Sequence, residues 1–190
     1  MNYQNGIEAI LTANSRIPVV TFSSSNQVAS VLEQLEAASV SCIEITLRTE
    51  AAWEAIEHCK KIAKSAFKVG VGTLVNAEQV ERCKSLGVDF MVSPGSSASL
   101  IDAMQKSGIA YLPGVMTPTE IISALEKDCG FLKLFPCNLA GGITALKTYA
   151  SVFPQIKFCP TGGLTAENHE EVLALKNVIS VGGSWLCEVK

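Results

Sequence analysis

Short apolar runs alternate with helix-forming stretches along the whole chain, and this alternation limits the fold more than any other feature. Runs at 17–22, 42–47, 68–71, 89–92, 110–112, 131–135, 156–159 and 178–181 read as strands. Helical stretches lie between them at 50–65, 77–86, 97–106, 118–127, 142–151 and 166–175. Ser25 opens another, in which Val28, Val31, Leu32 and Leu35 follow the 3.6-residue period. Residues 3–13 read as a short amphipathic helix ahead of the first strand. Strands separated by helices of this length are parallel, because each parallel neighbour needs a crossover, and eight such units make a (β/α)8 barrel. A doubly wound open sheet is the competing layout, and periodicity alone does not separate the two. The chain has 190 residues against about 250 for a usual barrel, so one domain over 1–190 with short loops is expected. Only 184–190 follow the last strand. The final helix is therefore expected to be truncated or missing, with the N-terminal helix or a neighbouring subunit covering that edge.

Composition narrows the function classes. The formal charge is −3 and the 15 basic residues are scattered, which leaves no electrostatic footprint for nucleic acid. No apolar run approaches the roughly 18 residues that span a bilayer, and nothing resembles a signal peptide, so a soluble cytoplasmic protein is expected. Seven cysteines without a C-x-x-C pair read as small reduced core residues. The two histidines, His58 and His169, are far apart, and a zinc site is hard to assemble from them.

One apolar strand holds a lysine: Gly130-Phe131-Leu132-Lys133-Leu134-Phe135-Pro136. A buried ammonium is costly, so Lys133 finds a partner, reaches water or gives up its proton, and only the last makes it a nucleophile able to form a Schiff base with a ketone. An edge residue, or one that snorkels to solvent, is the plainer alternative. In the second strand Ile43, Ile45 and Leu47 share one face, while Glu44, Thr46 and Arg48 share the other. With the apolar face against helices, Glu44 and Arg48 point to the barrel mouth, as Lys133 does. A simple internal salt bridge from Glu44 to Lys133 or Arg48 is the non-catalytic reading. The other strand ends carry Gly72-Thr73, Ser93-Pro94-Gly95, Pro113-Gly114, Pro160-Thr161-Gly162-Gly163 and Gly182-Gly183-Ser184. The last two follow strands seven and eight, where many barrels bind phosphate. No Lys or Arg lies between Phe158 and Leu175, so a phosphate there would rest on amides and hydroxyls.

These motifs, with Ile43-Glu44-Ile45-Thr46-Leu47-Arg48-Thr49 and Pro113-Gly114-Val115-Met116-Thr117, run in order through nearly the whole chain. Together they resemble the 2-keto-3-deoxy-6-phosphogluconate (KDPG) aldolases, also described as 4-hydroxy-2-oxoglutarate aldolases. The resemblance implies a (β/α)8 barrel, a homotrimer, and reversible aldol cleavage to pyruvate and D-glyceraldehyde 3-phosphate, with no metal or other cofactor. It implies Lys133 as the Schiff-base lysine and Glu44 as acid and base. Arg48 and Thr73 would hold the pyruvyl carboxylate, Pro94 and Phe135 would shape the wall, and Thr161, Gly162, Gly163, Gly183 and Ser184 would receive the phosphate. Some relatives end the first strand with an arginine that reaches phosphate, and Phe22 is read at that place here. Two other classes fit parts of the pattern: a sugar-phosphate barrel using enolate chemistry at Glu44, and an inactive sugar-phosphate-binding barrel.

Overall fold

The computed structural model describes residues 3–187. Its helices are α1 (Ile7–Ala13), α2 (Val28–Ala37), α3 (Ala52–Ile62), α4 (Ala77–Leu86), α5 (Ala98–Ser107), α6 (Pro118–Leu125), α7 (Gly142–Val152) and α8 (His169–Leu173). The strands are β1 (Arg16–Val20), β2 (Cys42–Thr46), β3 (Lys68–Gly72), β4 (Phe90–Val92), β5 (Ala110–Leu112), β6 (Gly114–Val115), β7 (Phe131–Leu134), β8 (Lys157–Pro160) and β9 (Val181–Gly183). All pairings are parallel. One run of neighbours is β5-β4-β3-β2-β1-β9 and the other is β6-β7-β8.

The two runs join into a closed barrel. β5 and β6 form one stave broken at Pro113, which has no amide hydrogen to donate, although its carbonyl still accepts from the Lys133 amide at 2.9 Å. On the other side, bridges Phe158↔Val178 and Thr161↔Gly182 tie β8 to the last stave. The expected eight parallel strands and their helices are thus present, and the open sheet is not.

Alternation along β2 explains the layering. Ile43 and Ile45 face outward into the large apolar layer between barrel and helices, while Cys42, Glu44 and Thr46 face the interior. The lower interior is filled by Ile17, Cys42, Phe90, Val92, Ala110, Leu112 and Cys159, and α1 packs Ile7 and Leu11 onto that cluster. Each buried aliphatic side chain contributes about 1.5–3 kcal/mol by leaving water.

The structure departs from the sequence reading at both ends and near α8. Residues 3–13 are not one helix, because Gln4, Asn5 and Gly6 all have left-handed φ values of 57°, 55° and 93°. The Gln4 amide group explains the break. It donates to the carbonyls of Tyr111 (3.0 Å) and Phe131 (2.7 Å) and accepts from the Phe131 amide (2.8 Å), so it plugs the floor of the barrel. Residues 166–168 stay outside α8 because side chains bond the backbone locally: Asn168 Oδ1 accepts from the Thr165 amide, and Thr165 Oγ1 accepts from the Glu167 amide. The last stave touches β8 at Val178 and then moves to β1, so its ladder lies at Val181–Gly183 rather than 178–181. A 3-10 turn, Ser184–Leu186, follows it. α1 lies at the floor instead of covering that edge. Of 184–190, where the final helix was expected to be truncated or missing, 184–186 form this turn and 188–190 lie outside the described residues.

Candidate active site

Glu44 and Lys133 meet inside the barrel. Lys133 Nζ donates to Glu44 Oε1 at 3.0 Å and lies 3.4 Å from Oε2. Each residue is only 3% exposed, so neither edge placement nor snorkelling describes this lysine. Room for the carboxylate comes from β3: a Cβ on Gly72 would lie 2.1 Å from Glu44 Oε1. The Phe135 ring centroid stands 5.3 Å from Lys133 Nζ, close enough for its π face to favour a cation there. Neighbouring thiols report the low polarity of this interior. Burial, then Cys159 and Glu44, push the Cys42 thiol up to about 12. Burial also pushes Cys159 up to about 11, against Ser180 and the Lys133 charge.

At the C-terminal ends of the strands opens a cavity of about 320 Å³, whose wall reaches Phe135 but includes neither Lys133 nor Glu44. Its wall includes Arg48, Phe135, Thr161, Gly162, Gly163, Gly183 and Ser184, seven of the residues singled out in the sequence. Arg48 carries the only charge on that wall and has no ion-pair partner among the described residues. Gly162 and Gly163 hold consecutive left-handed φ values of 96° and 72°, a turn that suits glycine and brings successive amides to one side. Side chains are absent here for a second reason. A Cβ on Gly163 would lie 2.4 Å from the Asn138 side chain, and one on Gly182 would lie 2.5 Å from Thr161 Oγ1. Thr161 is 5% exposed, and its hydroxyl lies beside the Cys159 thiol.

Thr73 and Pro94 lie on the next staves round, after β3 and β4, and do not line this cavity. Thr73 has a left-handed φ of 67°, a conformation costing a β-branched residue about 1–3 kcal/mol and found most often at ligand sites. Pro94 packs its backbone where a Cβ on Gly114 would fall, 2.4 Å away. Phe22, read at the place where some relatives carry a phosphate-reaching arginine, is fully buried in the outer apolar layer. Thr21 is the residue that lines the cavity, and its hydroxyl lies 2.7 Å from that of Thr46. Val19 and Thr21 share a face, but Ile17, Pro18, Val19 and Val20 are all apolar, so alternation along 17–22 leaves the phase open. Among the described residues no three of His, Cys, Asp and Glu come together as a metal-binding group.

The sequence profile described as KDPG and KHG aldolase matches residues 7–190. The KHG/KDPG aldolase of Escherichia coli K12 is 36% identical over 185 residues, 97% of this chain and 86% of the relative. The 2-dehydro-3-deoxy-phosphogluconate aldolase of Dickeya dadantii is 37% identical over the same shares. Among solved structures, a KDPG aldolase from Legionella pneumophila, with pyruvate captured as a covalent carbinolamine, superposes with a TM-score of 0.91 at 38% identity, covering 94% of this chain and 86% of that one. The Zymomonas mobilis ZM4 KDPG aldolase with 3-phosphoglycerate also reaches 0.91, at 34% identity over 96% of this chain and 86% of that one. The chain belongs to the KDPG and KHG aldolase family.

Proposed function

We propose that this protein is a metal-independent Schiff-base aldolase that cleaves 2-dehydro-3-deoxy-6-phosphogluconate to pyruvate and D-glyceraldehyde 3-phosphate. 4-Hydroxy-2-oxoglutarate, cleaved to pyruvate and glyoxylate, is a second substrate of the same chemistry. The observation that carries the reading is the buried Lys133–Glu44 contact of 3.0 Å together with an open cavity whose one charge is Arg48.

Glu44 is within reach to take a proton from Lys133 Nζ, which frees the amine to attack the C2 ketone. Glu44 gives that proton to the carbinolamine hydroxyl, which leaves as water, and the iminium that remains is a cation that accepts the electrons of the breaking C3–C4 bond. The restored carboxylate of Glu44 takes the C4 hydroxyl proton as the aldehyde departs and returns it to C3 of the enamine. Water then hydrolyses the pyruvate imine and restores Lys133. The carboxylate of Glu44 and the face of Phe135 both favour the cationic imine. Arg48 pairs with the substrate carboxylate, assisted by Thr73, and Pro94 bounds the pyruvyl end. The phosphate rests on Thr161, Ser184 and the amides of Gly162, Gly163 and Gly183, since the wall offers no second cation.

The working protein on this reading is a cytoplasmic homotrimer of single-barrel subunits spanning 1–190. No helix among the described residues is long and apolar enough to cross a membrane. The test is borohydride reduction with pyruvate, followed by peptide mass mapping. A reduced adduct on Lys133, absent in Lys133→Met, is the expected result. Pyruvate binding without an adduct would make the lysine structural and move the chemistry to an enolate at Glu44.

A further inference from the structure

The contact between Thr21 and Thr46 is not used by the chemistry above, and it is built with care. Thr46 is fully buried and sits on the same face of β2 as Glu44, one pleat nearer the mouth. The register Val19↔Glu44 and Val20↔Ile45 brings Thr21 level with Thr46, and the two hydroxyls stand 2.7 Å apart. Thr21 is exposed to the cavity, whereas Thr46 is not. One hydroxyl donates to the other. If Thr46 donates, Thr21 keeps its proton for the cavity; if Thr21 donates, its oxygen keeps a lone pair. Either way a fixed hydroxyl faces a ligand. That suits another hydroxyl, which can answer as donor or acceptor, better than an anion, which requires a donor.

We propose that Thr21, held by Thr46, reads the hydroxyl next to the carbonyl carbon of the aldehyde half, and so is a specificity-determining residue. The proposal rests on the aldolase reading, in which Glu44 serves the C4 oxygen. The next substrate carbon outward then passes the wall where β1 and β2 carry these two threonines.

The experiment is aldol addition of pyruvate to D-glyceraldehyde 3-phosphate and to 3-oxopropyl phosphate, which lacks only that hydroxyl. The native protein is expected to favour the hydroxylated aldehyde about tenfold in kcat/KM, the size of one well-placed hydrogen bond. Thr21→Val is expected to lose the preference and Thr21→Ser to retain it. Thr46→Val, which leaves the cavity wall intact, is expected to lower it by a smaller factor and serves if Thr21→Val does not fold. Equal preference in the native protein and the valine variants overturns the proposal, as does loss in Thr21→Ser. Borohydride trapping of pyruvate separates the two levels. An adduct with an unchanged ratio overturns only the role of Thr21, whereas no adduct in the native protein overturns the aldolase reading and this one with it.

Discussion

At the scale of single residues, the fate of Lys133 depends on one carboxylate and one missing side chain. Removing either partner of a buried ion pair leaves an uncompensated charge and typically costs about 3–5 kcal/mol, so stability alone would hold Glu44 and Lys133 together. Catalysis asks for more, namely that the carboxylate remain where it can reach both Nζ and the C4 oxygen. Gly72 secures that position, since a methyl group there would fall 2.1 Å from Oε1. Gly72→Ala is therefore expected to push the carboxylate aside and lower kcat about a hundredfold, the usual effect of misplacing a reacting group by about 1 Å. Steady-state kinetics beside thermal unfolding checks this. Unchanged kcat would show that the carboxylate can settle elsewhere without loss, and collapse of the fold would show that it cannot settle at all.

At the scale of elements, α4, α5 and α6 start where a side chain meets one of their first amides. Thr117 opens α6 with a reciprocal cap: its hydroxyl accepts from the Glu120 amide at 3.4 Å, and Glu120 Oε2 accepts from the amides of Met116 (2.7 Å) and Thr117 (2.8 Å). Burial raises the Glu120 carboxyl, but these bonds and that from the Thr117 hydroxyl outweigh it and hold it below the usual carboxylate range. Its contribution to stability is therefore present above the ordinary Glu pKa and lost as pH falls through the lowered one. Thr117→Ala is expected to cost about 1 kcal/mol in urea unfolding at neutral pH. The loss should shrink in acid, where the cap is already weakened; a constant loss would place the effect outside the cap. This helix was legible in the sequence because Thr117-Pro118-Thr119-Glu120 is a local signal. α8 was less so, because Thr165 and Asn168 bind backbone in ways that apolar periodicity does not register.

At the scale of the whole molecule, six thiols titrate above their ordinary range. Burial, chiefly, raises Cys42, Cys59 and Cys83 to about 12, and Cys129, Cys137 and Cys159 to about 11. Below about pH 8.5 folded and unfolded chains both keep these protons, and the thiols do not make stability depend on pH. Above it the unfolded chain releases protons that the folded barrel retains, so stability falls as pH rises toward 11–12. The urea midpoint is expected to decline steadily from pH 9 to 11. A flat midpoint over that range would mean that the thiols ionise in the folded barrel as readily as in the unfolded chain.

Local patterns in the sequence determined the order of strands and helices, the inward face of β2 and the solitary lysine in β7, because alternation, capping and turn chemistry act between near neighbours. From these follow a parallel α/β fold, barrel or open sheet, and the pairing of Glu44 with Lys133 as one of two readings. Tertiary structure decided the rest. Closure of the last stave on β1 depends on contacts between residues more than 150 positions apart, such as Arg16↔Val181, which no local period encodes. The same holds for Gln4, whose amide found its partners in Tyr111 and Phe131 across the floor. It holds too for Thr21, which faces the cavity where Phe22 does not: the pleat decides which of two adjacent residues faces in, and its phase is set by the register of β1 on β2.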